Sequence, residues 1–144
     1  MGRKGDTYEI CRRLVKVLGL EDKVIFVDFK INPYPYIKWA DLFVLSSDYE
    51  GLPMVLMEAV ALGTPVVSTD CRSGPGEILE SCKHCLTPVG DEEKLAAKMQ
   101  DALQNPTLYR CVLKPEMTLE YASKKYEKLW KSEFTDQNRH CSEH

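Results

Sequence analysis

Residues 40–70, with the sequence ADLFVLSSDYEGLPMVLMEAVALGTPVVSTD, decide the fold of this chain. Short apolar runs at 42–45 and 65–68 predict two buried strands. Between them a helical pattern begins at Pro53 and stops at Gly63, and these residue types favour the two ends of a helix. Short apolar strands that alternate with helices are typical of a parallel sheet covered on both faces. The sequence therefore predicts an α/β fold with such a sheet.

Apolar periodicity places further elements on either side of this stretch. Asp91 is a favourable N-cap residue for one of them. The residues after 134 are polar, which is common at the ends of domains. We therefore predict one domain over residues 1–134 and a polar disordered tail over residues 135–144. The further elements are predicted as helices at 8–18, 77–81, 91–104 and 115–134, and as strands at 24–27 and 85–89.

The charge of the chain argues against two classes of partner. Its 144 residues include 19 Lys and Arg against 22 Asp and Glu, which gives a net charge of −3. This balance gives no support for nucleic acid or an anionic membrane as the main partner. No apolar run approaches the roughly 20 residues of a membrane span, and residues 1–6 lack the apolar core of a signal peptide. We therefore expect a cytoplasmic protein.

The six cysteines are most simply reduced thiols, because the sequence has no export signal. Cys82 and Cys85 form the only CxxC pair in the chain. A structural zinc site commonly draws four ligands from two such pairs, so His84 and Cys71 would have to complete it. We expect no bound metal and keep this zinc site as the minor alternative.

Two glutamates stand out in the central stretch. Glu58 lies inside a helical run that is otherwise almost wholly apolar, and a helix that is apolar all round is buried. A buried carboxylate needs hydrogen-bond partners, which are either backbone groups or the hydroxyls of a ligand. Glu50 lies in the loop that precedes the same helix. We favour a ligand-binding role for Glu58.

Three loops follow the predicted strands, at residues 28–35, 46–52 and 70–76. Ligands of such sheets bind at the carboxyl ends of the strands, so we expect these loops to line the site. Gly51 allows a ligand close to the backbone, and the free N–H groups of the helix that follows form an anion site. The segment RSGPGE at 72–77 is either a ligand-contacting turn or a plain connection, and its spacing leaves both open.

Glu50 and Glu58, separated by seven residues, resemble the signature of retaining glycosyltransferases of family 4, which have the GT-B fold. The resemblance extends over roughly residues 8–130. It implies the Rossmann-like, nucleotide-sugar-binding C-terminal half of that fold. The segment at residues 70–79 resembles the form found in members that build bacterial surface glycans. The supporting segments are 40–47, 58–67, 70–79 and 88–91.

The resemblance also implies roles for individual residues. Glu50 is similar to the catalytic glutamate near the transferred sugar, and Glu58 to the glutamate that binds the ribose hydroxyls. Neither needs to be a covalent nucleophile in this family. The other nucleotide-sugar-binding residues that it implies are Gly51, Leu52 and Pro53, through their backbone beside the sugar and diphosphate, and Asp28, Phe29 and Lys30 beside the base.

The implied reaction is sugar transfer, with retention of configuration, from a nucleotide-sugar to a glycan or lipid-linked acceptor. Members that resemble this chain usually take UDP-sugars, need no metal or other cofactor and act in polysaccharide biosynthesis. For the full protein, the resemblance adds peripheral association with the cytoplasmic face of a membrane as an alternative to a purely cytoplasmic location.

The chain departs from the family pattern at its beginning. A family member starts with an acceptor domain and opens its donor domain on a strand with an Arg and a Lys that neutralise the diphosphate. Arg3 and Lys4 do not match that segment. We therefore expect an N-terminally truncated, incomplete donor domain that is inactive alone. The alternatives are a catalytically silent nucleotide-binding or interaction module and, third, a nucleotide-sugar epimerase, whose additional acid/base residues are not found.

Overall fold

The computed structural model describes residues 7–137, and over residues 129–137 it describes the backbone alone. The chain divides into two compact units, Met1–Ile37 and Lys38–His144. Arg3, Lys4 and the last seven residues of the predicted tail lie outside the described residues.

The first unit contains the predicted amphipathic helix, α1 (Tyr8–Val17). It ends before Gly19, whose φ of 63° suits a residue without a side chain. The Tyr8 ring packs edge-on against Phe26 with centroids 5.4 Å apart. The strand predicted at 24–27 is wrong, because this segment pairs with no other strand within the described residues. A strand exists only through its ladder partners, and apolar composition alone supplies none.

The second unit is built on a parallel sheet of three strands in the order β1-β2-β3. The strands are β1 (Phe43–Leu45), β2 (Val66–Thr69) and β3 (Leu86–Thr87). The central strand β2 is completely buried, whereas β1 is only half-buried because it pairs with a single described strand. The predicted burial of the first strand is therefore too high. The α/β class and the parallel sheet are confirmed.

Helices join and cover these strands. α2 (Tyr34–Lys38) leads into the second unit, and α3 (Met54–Ala61) joins β1 to β2. Pro53 takes the N-cap position, so the helix starts one residue later than predicted. It ends before Gly63, which has a φ of 73°. Lys38 supports this end, since its ammonium donates a hydrogen bond of 2.7 Å to the carbonyl of Leu62.

The elements after β2 begin and end at identifiable residues. α4 (Pro75–Ile78) starts two residues earlier than predicted, because Pro75 suits the first turn of a helix. A 3₁₀ segment, Glu80–Cys85, leads into β3, and that strand stops before Pro88, which has no N–H to donate. The remaining elements are α5 (Glu92–Gln104), 3₁₀ turns at Pro106–Tyr109 and Pro115–Met117, and α6 (Leu119–Gln137).

α5 confirms the predicted cap and helps to close the core. The Asp91 carboxylate accepts a hydrogen bond of 3.0 Å from the backbone N–H of Lys94. The hydrogen bonds from Lys94 lower the pKa of Asp91. At the far end, the hydroxyl of the buried Tyr109 donates to Asp101 over 2.5 Å. Burial, assisted by this contact, raises the pKa of Tyr109 to about 12. No helix among residues 7–137 has the length and apolar content needed to cross a membrane.

Leu56 tests the packing of α3 on the sheet. Its side chain is fully buried, whereas Met54 on the same helix is 57% exposed. We expect Leu56→Ala to lower the free energy of unfolding by about 2–5 kcal/mol, because it leaves a cavity. Met54→Ala, the matched control, is expected to change it by less than about 0.5 kcal/mol. Urea titration followed by circular dichroism measures both values, and equal losses would contradict this packing.

Candidate functional site

Two loops leave the sheet at the same edge, because β1 and β2 run parallel. The first loop, residues 46–53, leads from β1 into α3, and the second, residues 70–76, leads from β2 into α4. Two side-chain hydroxyls, one at the end of β2 and one in the second loop, donate hydrogen bonds to backbone carbonyls of the first loop. The Thr69 hydroxyl donates to the carbonyl of Ser47 over 2.5 Å, and the Ser73 hydroxyl donates to the carbonyl of Glu50 over 3.1 Å. The two loops therefore form one structural unit.

Gly74 makes the closest approach between these loops. Its backbone has φ 92° and ψ −76°, a conformation that side chains disfavour. A Cβ atom at this position would lie 2.4 Å from the Gly51 carbonyl oxygen and 2.5 Å from Cδ of Pro53. Only glycine fits there without moving the first loop. The loop at 72–77 is thus more than a plain connection, since it packs backbone against backbone on the residues before α3.

Glu50 is half-buried in the first loop and has a fixed partner. The Ser47 hydroxyl donates a hydrogen bond of 2.7 Å to Oε1 of Glu50. Cys71, at the start of the second loop, is buried nearby. Burial raises the pKa of its thiol, and the charge of Glu50 raises it further. The carboxylate is therefore held where both loops meet.

Glu58 lies in the second turn of α3, and its predicted burial is wrong. The residue is half-buried, because α3 packs one side on the sheet and leaves Met54 and Val55 exposed. The buried residues of α3 are Leu56, Ala59 and Val60. A helix whose composition is apolar all round can still be partly exposed when only one side has a neighbour. The carboxylate is consequently within reach of a ligand.

The start of α3 offers two backbone donors. Within the described chain, the N–H groups of Met54 and Val55 have no hydrogen-bond acceptor, and no side chain caps the helix. Gly51 and Leu52 just before them are exposed, whereas Pro53 is buried. Free N–H groups at the positive end of a helix dipole attract anions.

The loops differ in their charged side chains. The first contains Asp48 and Glu50, and the second contains Asp70 and Arg72. Arg72 is therefore the single basic residue of both loops. It is exposed, and it makes no ion pair within the described residues. Arg72 opens the segment 72–77 that the sequence marks as a candidate turn, but its spacing gives this side chain no role of its own.

Asp28, Phe29 and Lys30 belong to the first unit and are exposed in a segment without regular secondary structure. The contacts that define the two-loop site involve the second unit alone. The predicted placement of these three residues beside a nucleotide base stays a prediction. In residues 7–137, no group of three or more His, Cys, Asp or Glu side chains is arranged to hold a metal ion.

Two clefts lie at opposite ends of the strands. A cleft of about 570 Å³ opens at the amino ends of β1 and β2, where Lys38, Trp39 and Arg110 line it. A second, of about 580 Å³, lies at the carboxyl ends of β2 and β3 and includes Asp70 and Lys83. We place the candidate site at the carboxyl ends of the strands, because ligands of parallel sheets bind there.

Comparison with known proteins identifies similar chains. Residues 1–105 match the family model described as glycosyl transferases group 1. An uncharacterised glycosyltransferase of Methanocaldococcus jannaschii is 40% identical over 75 residues, which are 52% of this chain and 18% of that protein. The lipopolysaccharide 1,6-galactosyltransferase of Salmonella typhimurium is 35% identical over 80 residues, 53% of this chain and 22% of that protein. The chain thus spans about a fifth of the length of these relatives.

The fold also resembles solved structures. The crystal structure of TarM superposes with a TM-score of 0.67 at 24% identity, over 76% of this chain and 22% of the TarM chain. The structural neighbours have the GT-B fold, so the predicted Rossmann-like part of that fold is confirmed.

Gly74 tests whether the two loops are packed as described. We expect Gly74→Ala to destabilise the chain by about 2–5 kcal/mol, since it adds a clash to a disfavoured backbone conformation. Gly90→Ala is the matched control, because Gly90 also has a positive φ, of 74°, but has no atom within 4 Å of the added Cβ. The control should cost about 1 kcal/mol. Equal urea midpoints for the two variants would show that the loops are not in contact.

Proposed function

Because this chain belongs to the group 1 glycosyltransferase family, we propose that it forms the donor-binding half of a retaining glycosyltransferase. The donor is a nucleotide-sugar, specifically a UDP-sugar, and the chain is a member of family 4. The acceptor is a glycan or a lipid-linked glycan, which the lipopolysaccharide specificity of the Salmonella relative supports. One observation carries the proposal: two interlocked loops hold Glu50 beside the uncapped start of α3.

The diphosphate of the donor binds at the start of α3. Its charge is met by the N–H groups of Met54 and Val55, which lack other acceptors in the described chain. The exposed backbone of Gly51 and Leu52 faces the sugar and the diphosphate, with Pro53 buried behind them. As the glycosidic bond breaks, negative charge grows on the leaving diphosphate. Fixed N–H dipoles stabilise that charge without reorganising, which lowers the barrier.

Glu50 is the proposed catalytic residue. Its carboxylate lies where the loops meet, and the hydrogen bond from Ser47 fixes its position. A fixed negative charge there binds sugar hydroxyls and stabilises the positive charge of an oxocarbenium-like transition state. The hydrogen bond to Ser47 leaves acceptor positions on the carboxylate free for these contacts.

Glu58 binds the ribose hydroxyls of the nucleotide. A ribose diol presents two donors that a carboxylate accepts in parallel. The half-buried position of Glu58 favours this role, because a ligand can reach the carboxylate while α3 restricts its motion. The nucleotide base, in this proposal, is flanked by Asp28, Phe29 and Lys30. No metal is needed where helix dipoles and Arg72 meet the phosphate charge.

The remaining expectations concern the whole enzyme. We propose that an acceptor-binding domain acts together with this chain in polysaccharide biosynthesis, and that the chain alone does not complete the transfer. We place the enzyme in the cytoplasm, at the cytoplasmic face of a membrane when the acceptor is lipid-linked. A catalytically silent nucleotide-binding module is the second candidate. It shares the donor site, so binding with no transfer by the whole enzyme would identify it.

Calorimetric titration of UDP into the folded chain tests the role of Glu58. We expect the native chain to bind UDP and Glu58→Ala to bind it at least about tenfold more weakly, since hydrogen bonds to a charged group are lost. Glu93→Ala is the control, because Glu93 is an exposed carboxylate on α5. Unchanged affinity in Glu58→Ala would exclude the ribose role. No binding by the folded native chain would contradict the donor-binding proposal.

A second titration separates phosphate recognition from nucleoside recognition. We expect Arg72→Ala to weaken UDP binding by about tenfold and to leave uridine binding unchanged, because a guanidinium attracts the diphosphate alone. Arg110→Ala removes an exposed cation that lines the cleft at the opposite edge, and it should affect neither ligand. Equal losses for UDP and uridine in Arg72→Ala would show that Arg72 supports the fold rather than the phosphate.

A further inference from the structure

Three thiols cluster at the amino end of β3, outside the two-loop site. The sulfur atoms of Cys85 and Cys111 lie 3.6 Å apart, although the residues are 26 positions apart in sequence. Both side chains are buried. Cys82 lies near both thiols, and its side chain lowers the pKa of Cys85 and raises the pKa of Cys111. The transferase proposal uses none of these groups.

The surroundings of the cluster shift the pKa values of the two buried thiols in opposite directions. A hydrogen bond from Cys111 lowers the pKa of Cys85 to about 7, and the charges of His84 and Lys98 assist. Lys98 reaches this region by donating to the carbonyl of His84 over 2.5 Å. The same bond raises the pKa of Cys111. A thiolate is the attacking species in disulfide exchange, so Cys85 is the natural nucleophile.

Access to the cluster is also unequal. Cys82 is half-buried, whereas Cys85 and Cys111 are 0% and 5% exposed. A small oxidant therefore meets Cys82 first. A bond between Cys82 and Cys85 would close a loop of only a few residues, whereas one between Cys85 and Cys111 restricts a far longer segment of the unfolded chain. The longer connection stabilises the folded state more.

We propose that these three cysteines form an oxidation site in which a low-molecular-weight disulfide converts Cys85 and Cys111 into an intramolecular disulfide through Cys82. The cross-link fastens the start of β3 to the segment that follows the Pro106–Tyr109 turn. Strand β3 supports the site, because the carbonyl of Thr87 accepts a 2.7 Å hydrogen bond from the N–H of Asp70. Oxidation therefore stiffens β3, the strand to which the first residue of the second loop is hydrogen-bonded.

Each exchange step balances. The Cys82 thiolate attacks the small disulfide, forms a mixed disulfide and releases one thiolate. The Cys85 thiolate then attacks the Cys82 sulfur and displaces the second small thiolate. The Cys111 sulfur attacks Cys85, and the displaced Cys82 thiolate takes up the proton that Cys111 loses. Overall, Cys85 and Cys111 lose two hydrogen atoms, and the small disulfide is reduced to two thiols.

Peptide mapping tests this proposal on the full chain. The reduced protein is incubated with glutathione disulfide without oxygen, quenched with an alkylating agent and digested with trypsin. Cleavage after Arg72, Lys83, Lys94 and Arg110 places the three cysteines on separate peptides. We expect a cross-link between the peptides that begin at His84 and Cys111, an intact mass lower by two hydrogen atoms and a higher urea midpoint.

Variants test the path of the reaction. Cys82→Ser should form the same cross-link at least about tenfold more slowly, because the accessible thiol is missing. Cys111→Ser should stop at a bond between Cys82 and Cys85. Cys11→Ser is the control, since Cys11 is an exposed thiol on α1 and its loss should leave the rate unchanged.

Three outcomes would overturn the proposal, and none of them depends on how a variant folds. The first is native protein that carries glutathione on Cys82 without a cross-link. The second is a cross-link that joins Cys11 or Cys71 instead. The third is a metal ion in the intact mass that protects the three thiols from exchange. With the variant, an unchanged rate in folded Cys82→Ser would likewise overturn the proposed route through Cys82. UDP binding is measured separately, so failure here leaves the donor site untouched.

Discussion

The contact between Gly74 and the Gly51–Pro53 backbone is the constraint on which the rest of the site depends. At 2.4 Å from the Gly51 oxygen, there is no room for a Cβ atom on residue 74. Two loops that leave neighbouring strands are therefore packed directly on each other. Hydrogen bonds from Thr69, the last residue of β2, and from Ser73 in the second loop act in the same direction, because each ends on a backbone carbonyl of the first loop. The arrangement replaces two independent flexible connections by one surface.

This contact determines the electrostatics of the site. It fixes the residues that lead into α3, and so fixes the direction of its free N–H groups. It also brings the carboxylate of Glu50 close to Cys71, and the pKa of that thiol is raised by burial and by the Glu50 charge. Negative side chains and positive helix dipole thus lie side by side. A glycosyl donor needs this combination, since its sugar gains positive charge while its diphosphate gains negative charge.

The sequence pattern predicts what depends on neighbours along the chain. Proline and glycine mark both ends of α3, the apolar run at 65–68 gives the central strand, and Asp91 caps α5 as expected. Properties that depend on neighbours in space are different. The run at 24–27 is apolar but has no ladder partner among the described strands.

In the candidate site, too, the sequence predicts what depends on neighbours along the chain but not what depends on neighbours in space. The positions of Glu50 and Glu58 around a helix start follow from their spacing. The half-burial of Glu58 does not, because the extent to which other elements cover α3 is a tertiary property. The need for glycine at residue 74 is equally invisible in sequence, since the atoms that exclude a side chain lie more than twenty residues earlier in the chain. Spacing leaves a ligand-contacting turn and a plain connection equally open there.

We propose that the nucleotide binds at the loops that follow β1 and β2, and not in the cleft at the amino ends of these strands. Titration of UDP into the ¹⁵N-labelled chain, followed by amide chemical shifts, tests it most directly. We expect the amide shifts to change among residues 50–55 and 72–76, except at Pro53 and Pro75, which have no N–H. They should stay constant at Trp39, Thr64 and Arg110, which line the opposite cleft. Changes confined to those three residues, or an absence of change throughout a folded chain, would contradict it.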